Sequence, residues 1–228
     1  MTGVVYMLRQ DMPVVQFSTR EGVRIEIGFS LVLFAFVMVH LTGGMAGFLG
    51  DLAVFLLIIF SLYLREAART WVVAKQGLEL ISHQFGAAGG QVRTSRASVE
   101  AQELIAAIGP LTSFGLWAIS ALMLPLLPEA SLAADWLMKF AFINLFIGIV
   151  TSLPVQPLDG GRFLYLYLSR TVSPAFARRV MGAFGLMLSA IWLPAMLLSF
   201  LIFGIVLLTL PSMAEHWAML KGEAAVEG

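Results

Sequence analysis

Long apolar runs separated by short polar connections dominate the chain. An apolar helix needs about 20 residues to cross roughly 30 Å of hydrocarbon. Residues 27–49, 52–74, 104–127 and 136–153 meet or approach that length. A fifth apolar stretch, residues 180–210, would be about 46 Å long if helical throughout, with Pro194 near its middle. That length suits one kinked span or a tight pair of short helices. Residues 77–96 lie between the second and third spans; a β-capable start and Gly86, Gly89 and Gly90 predict a short strand and turn there. The expected fold is an all-α polytopic membrane protein with five or six transmembrane helices and that strand/turn segment between spans two and three. It divides into an N-terminal segment (1–24), a transmembrane domain (25–211) and a polar, frayed tail (212–228).

Composition supports this. The 228 residues are 59% hydrophobic and 12% charged, with a mean hydropathy of +0.89. Soluble domains carry about a quarter charged residues. With no cysteine, neither a disulfide framework nor a thiolate metal site can form. Fourteen Lys/Arg balance fourteen Asp/Glu, which removes a bulk electrostatic case for nucleic acid as a partner. The positive charges are unevenly placed. Arg9, Arg20 and Arg24 precede the first span; Arg65, Arg69, Lys75, Arg93 and Arg96 end or follow the second; Arg162, Arg170, Arg178 and Arg179 follow the fourth. The connections at 42–51 and 128–135 carry none. That bias makes the charged side cytoplasmic and puts the N-terminus inside. The first apolar run is too long for a signal-peptide core, so no cleavable leader is expected.

Two features carry candidate chemistry. If the second span begins at Leu52, only thirteen uncharged residues, about 20 Å of helix, precede Arg65. The helix then continues through Arg65-Glu66-Ala67-Ala68-Arg69, with the two arginines one turn apart on one face. A start near Gly47 would instead leave Arg65 at the interface as a stop anchor. The fourth span runs into Ser152-Leu153-Pro154-Val155-Gln156-Pro157-Leu158-Asp159-Gly160-Gly161-Arg162, where two prolines end the helix and a glycine pair permits a tight turn. Irregular backbone at membrane depth is tolerated where it is buried in protein or lines a cavity. Asp159 is therefore either an inward carboxylate needing a cation or a surface turn residue.

Together these segments resemble the site-2 protease family of intramembrane zinc metalloproteases. The resemblance runs from about Ile25 to Arg179 and is most specific at Pro154–Arg162. Asn144, Gly109-Pro110 and Gly89-Gly90 are supporting matches. The family's H-E-x-x-H motif supplies two zinc ligands and a general base, and its Leu-Asp-Gly motif supplies the third ligand. Here both histidine positions are arginine, at Arg65 and Arg69, while Glu66 and Asp159 are kept; Ser152 stands where the family often has asparagine. Guanidinium has no lone pair for a metal, so Asp159 alone cannot hold a catalytic zinc. His40, His83 and His216 are the only histidines, and no two share the i,i+4 spacing. His83 is the one whose segment the resemblance brings towards the active site.

No catalytic residues, zinc or other cofactor are therefore expected. Arg65 or Arg69 should bridge to Asp159 without metal, leaving the cluster of two cations and two carboxylates neutral. Flanking guanidiniums also favour the charged form of Glu66, which weakens it as a general base. The Gly43/Gly47 pair reads as an exit loop or a close-packing motif, and the tryptophans as interface anchors or core. The expected function is that of an inactive site-2-protease-like protein. It would act by binding, as an accessory or assembly subunit of a membrane complex or by sequestering transmembrane substrates. Its partners would be membrane lipid and another integral membrane protein, and its place the bacterial inner membrane. The alternatives are an active zinc protease with an unconventional site, and a small transporter or channel.

Overall fold

The computed structural model describes residues 12–19, 22–38, 44–86, 89–156, 158–203 and 213–222. Strands β1 (Pro13–Ser18) and β2 (Arg24–Gly28) form an antiparallel hairpin whose turn contains Gly22 at φ 81°. Helix α1 (Phe29–Met38) follows β2 directly, and α2 (Gly44–Lys75) is 32 residues long. Gly77, at φ 67°, closes α2: its amide donates to Ala74 O and that of Leu78 to Val73 O. The chain then enters β3 (Leu80–Gly86) and β4 (Gly89–Thr94). Helices α3 (Val99–Met123), α4 (Leu132–Ser152), α5 (Asp159–Thr171), α6 (Pro174–Phe203) and α7 (Met213–Lys221) complete the fold. Ser98 and Ser131 cap α3 and α4 by accepting from the amides of Ala101 and Ala134.

The sheet corrects the all-α expectation. Its order is β1-β2-β3-β4, with β2 and β3 parallel and the outer pairs antiparallel. The strand and turn expected at 77–96 are the β3–β4 hairpin. The other two strands precede α1: β1 lies in the N-terminal segment, and β2 starts at its last residue, Arg24, and runs on into the expected transmembrane domain. Ile27 belongs to β2, not to a span, and Gly44–Leu49 belong to α2. The expected first span, 27–49, is thus divided among three elements. His40 and Gly43 lie outside the described residues. Gly47 faces open space.

Three helices are long and apolar enough to cross a membrane among the described residues: α2 from Gly47, α3 with the turn after it, and α4. Helix α6 runs unbroken through Pro194 as far as Phe203. The tail expected to be frayed contains α7, whose His216 and Met219 are buried. Gly182 and Gly185 of α6 make room for it, because a Cβ at Gly185 would enter the His216 ring.

Polarity is inverted across the helices. Leu56, Phe60, Leu111, Ile119, Phe142 and Ile149 are exposed, while Ser61, Arg65, Glu66, Arg69, Ser113 and Asn144 are buried. Lipid solvates the first set, and hydrogen bonds between helices satisfy members of the second. Asn144 on α4 donates to Ser61 Oγ on α2 at 2.9 Å. At the sheet end, Val72, Val73, Val92 and Ile105 form an apolar core joining α2, β4 and α3.

Candidate functional site

The charged turn of α2 is buried among the sheet, α3 and α5. Arg65 and Glu66 are each 1% exposed and Arg69 3%. Parallel pairing of β2 and β3 sets His83 opposite Ile25, and the antiparallel register sets Val92 opposite His83. His83 Nε2 lies 3.0 Å from Glu66 Oε2. An ionised carboxylate only accepts, so with Glu66 charged this contact requires Nε2 to donate. The imidazole stacks on Phe85, with ring centroids 4.4 Å apart. Glu66 Oε1 accepts from Arg69 Nη1 at 2.8 Å and from the Gly90 amide at 3.2 Å.

Asp159 completes the cluster. Its Oδ2 accepts from Arg65 Nη2 and Arg69 Nη2 together, while Arg69 Nη1 also donates to Gly90 O. The Arg69 guanidinium thus spans Glu66 on one side and Asp159 on the other. Arg65 is no interfacial anchor, although α2 starts as early as that alternative required. Asp159 is no surface turn residue either: its side chain is 18% exposed and sits in the first turn of α5.

Local backbone explains how a carboxylate reaches this depth. Helix α4 ends at Ser152, and Val155 O accepts from the Leu158 amide at 2.9 Å before α5 begins. A Cβ on Gly160 would enter the Ser152 carbonyl, and one on Gly161 the Val155 carbonyl. The glycine pair is needed for close approach of backbone to backbone. Two further glycines shape the cluster. A Cβ on Gly90 would fall inside the Glu66 carboxylate; one on Gly109 would lie 2.6 Å from Arg69 Nη2 and 2.9 Å from Arg65 Nε.

The structure therefore gathers Arg65, Glu66, Arg69 and Asp159, and adds His83. It leaves His216 apart, packed between α7 and α6. Sequence reasoning missed the Glu66–His83 contact, which only strand register sets, and the two-point ion pair of Arg170 with Glu103 at 2.9 and 3.0 Å. A carboxylate near the start of an apolar span was the available signal for the latter.

Comparison with known proteins places the fold. No protein-family profile matches the chain. A zinc metalloprotease of Methanocaldococcus jannaschii is 25% identical over 178 residues, which is 78% of this chain and 52% of that protein. A protein named zinc metalloprotease Rip3, of Mycobacterium tuberculosis, is 34% identical over 125 residues, 50% of this chain and 30% of the relative. The solved structure of the site-2 protease from Methanocaldococcus jannaschii superposes with a TM-score of 0.64 at 22% identity, over 94% of this chain and 97% of that one. The chain resembles the site-2 proteases. The structural likeness is one of fold, and the chain spans about half the length of the first curated relative and under a third of the second.

A site-2 protease zinc would lie where Arg65, Arg69 and Asp159 meet, and the residues present do not fit one. Guanidinium nitrogen offers no lone pair, and the Arg69 head lies between the two carboxylates. Among the described residues, no three His, Cys, Asp or Glu side chains gather in a way that could hold a metal ion. What the arrangement can do is structural: it ties α2 to α5 and to the sheet through charge-assisted hydrogen bonds in a dry setting.

Proposed function

We propose that this site-2-protease-like membrane protein hydrolyses no peptide bonds and acts by binding. Its role is that of an accessory or assembly subunit of a membrane complex, or of a sequestering partner for transmembrane segments. The observation that carries the reading is the Arg69 guanidinium bridging Glu66 and Asp159. A metal that acidifies water or polarises a carbonyl is what such hydrolysis needs, and two guanidiniums hold that ground. The resemblance to relatives named zinc metalloproteases supports the scaffold, and the donor chemistry supports the loss of reaction. The positive-charge bias supports an N-terminus facing the cytoplasm, and the resemblance favours a bacterial inner membrane.

Metal analysis and a cleavage assay test this together. Protein purified in mild detergent should contain no stoichiometric zinc and should leave transmembrane peptides intact with or without a chelator. Chelator-sensitive cleavage would restore the alternative, an active protease with an unconventional site. A stable partner co-purified from native membrane separates the subunit role from sequestration.

A further inference from the structure

The cluster holds more cations than its carboxylates serve. Arg162 lies three residues after Asp159, on the same face of α5. It is half-buried; its amide donates to Leu158 O, while its guanidinium has no hydrogen bond or ion pair among the described residues. Burial, and then the neighbouring charge of Arg69, push its guanidinium below the usual range, while Asp159 pulls the other way. Asp159 is already taken up by Arg65 and Arg69. Glu66 is spent on Arg69, His83 and the Gly90 amide. Counting Arg162, three positive charges face two negative ones. Acceptors run short as well: Arg65 Nε and Nη1 and Arg69 Nε are buried with none among the described residues. The amino end of α5 adds partial positive charge, and Leu158 offers it no side-chain cap.

The cluster is also open on one side. Arg65, Glu66 and Arg69 are sealed, whereas the Asp159 side chain is 18% exposed and Arg162 half-buried.

We propose that this opening binds one carboxylate, held by Arg162 at the amino end of α5. The inference rests on the binding reading above and gives its occupant a chemistry: an acidic side chain at membrane depth, or a free fatty acid presenting the same group. The two readings fail separately, since stoichiometric zinc ends the first and a response independent of Arg162 ends the second. The full chain in nanodiscs is titrated with benzoate and, as a neutral analogue of the same shape, benzamide. Benzoate should raise the melting temperature with concentration, benzamide should not, and sodium chloride at equal ionic strength should not reproduce the effect. Arg162→Gln should weaken benzoate binding about tenfold or more, the loss of one charge-assisted hydrogen bond. Arg162→Lys keeps the charge and should keep much of the binding. Without carboxylate, Arg162→Gln should melt at least as high as the parent, since it removes an unpaired cation rather than a structural bond. Laurate and an apolar helical peptide with a single Asp, against its Asn counterpart, distinguish the sources; Arg162-dependent binding of either supports the site. Equal responses to benzoate and benzamide, or an undiminished response in Arg162→Gln, would overturn it.

Discussion

Asp159 Oδ2 accepts from two guanidiniums at once. Removing its charge leaves Arg65 and Arg69 with Glu66 as their remaining near counter-charge, in surroundings where Arg65 is 1% exposed. Breaking one partner of a buried pair costs about 3–5 kcal/mol, and the partial exposure of Asp159 favours the lower figure. Asp159→Asn should therefore lower the melting temperature by roughly 6–12 °C for a chain of this size, read by thermal unfolding in detergent. A change of a degree or two would mean that the pairing contributes little. The residues of this cluster were legible partly from local pattern and partly from the resemblance, which sets Asp159 against both substituted histidine positions. Arg65 and Arg69 sit one helical turn apart, and Asp159 follows a proline-broken span that needs a cation. His83 was less legible as a Glu66 partner, because its place depends on which strand lies beside β3.

At the scale of elements, the glycines divide into those that close the structure and those that do not. At Gly160 the neighbour is backbone, the Ser152 carbonyl, so no side chain can swing aside. Gly160→Ala should push α5 away from the end of α4 and cost about 1–3 kcal/mol or more, while also misplacing Asp159. Gly115 in α3 has nothing within 4 Å of an added Cβ. Gly115→Ala should be neutral or stabilising by about 0.5–1 kcal/mol through helix propensity. Unfolding the pair side by side separates a packing cost from a general intolerance of alanine; equal losses would refute the distinction. The helices were read well where apolar length decides, as in α3 and α4. The sheet was half read. Arg24-Ile25-Glu26-Ile27 alternates as a strand should, but its apolar members run into α1 and read as the start of a span. Its partner β3 lies beyond the whole of α2, so nothing local marks the pairing. Helix α7 was missed for a similar reason: the slot that receives it is cut by Gly182 and Gly185 of another helix.

For the molecule as a whole, fixed positive charge stands where the resemblance implies a dissociable metal, and this sets how stability should respond to a chelator. Arg65 and Arg69 together carry the charge of a zinc ion and cannot leave. The parent protein should therefore melt at the same temperature with and without a strong chelator. The double substitution Arg65→His with Arg69→His removes both cations and keeps Glu66 and Asp159. Without metal, the buried Glu66 and the partly exposed Asp159 then have no guanidinium between them, and the fold should weaken. With zinc, the two introduced imidazoles and Asp159 offer three donors and leave the fourth position open. Binding at a thousand times the dissociation constant stabilises by about 4.1 kcal/mol, so the melting temperature of the double variant should rise with zinc and fall on chelation. A parent protein that loses stability on chelation would show that its scaffold already depends on a metal. A double variant that ignores zinc would show that the backbone no longer presents residues 65, 69 and 159 at ligand distance, and that the arginines have reshaped the site as well as recharged it.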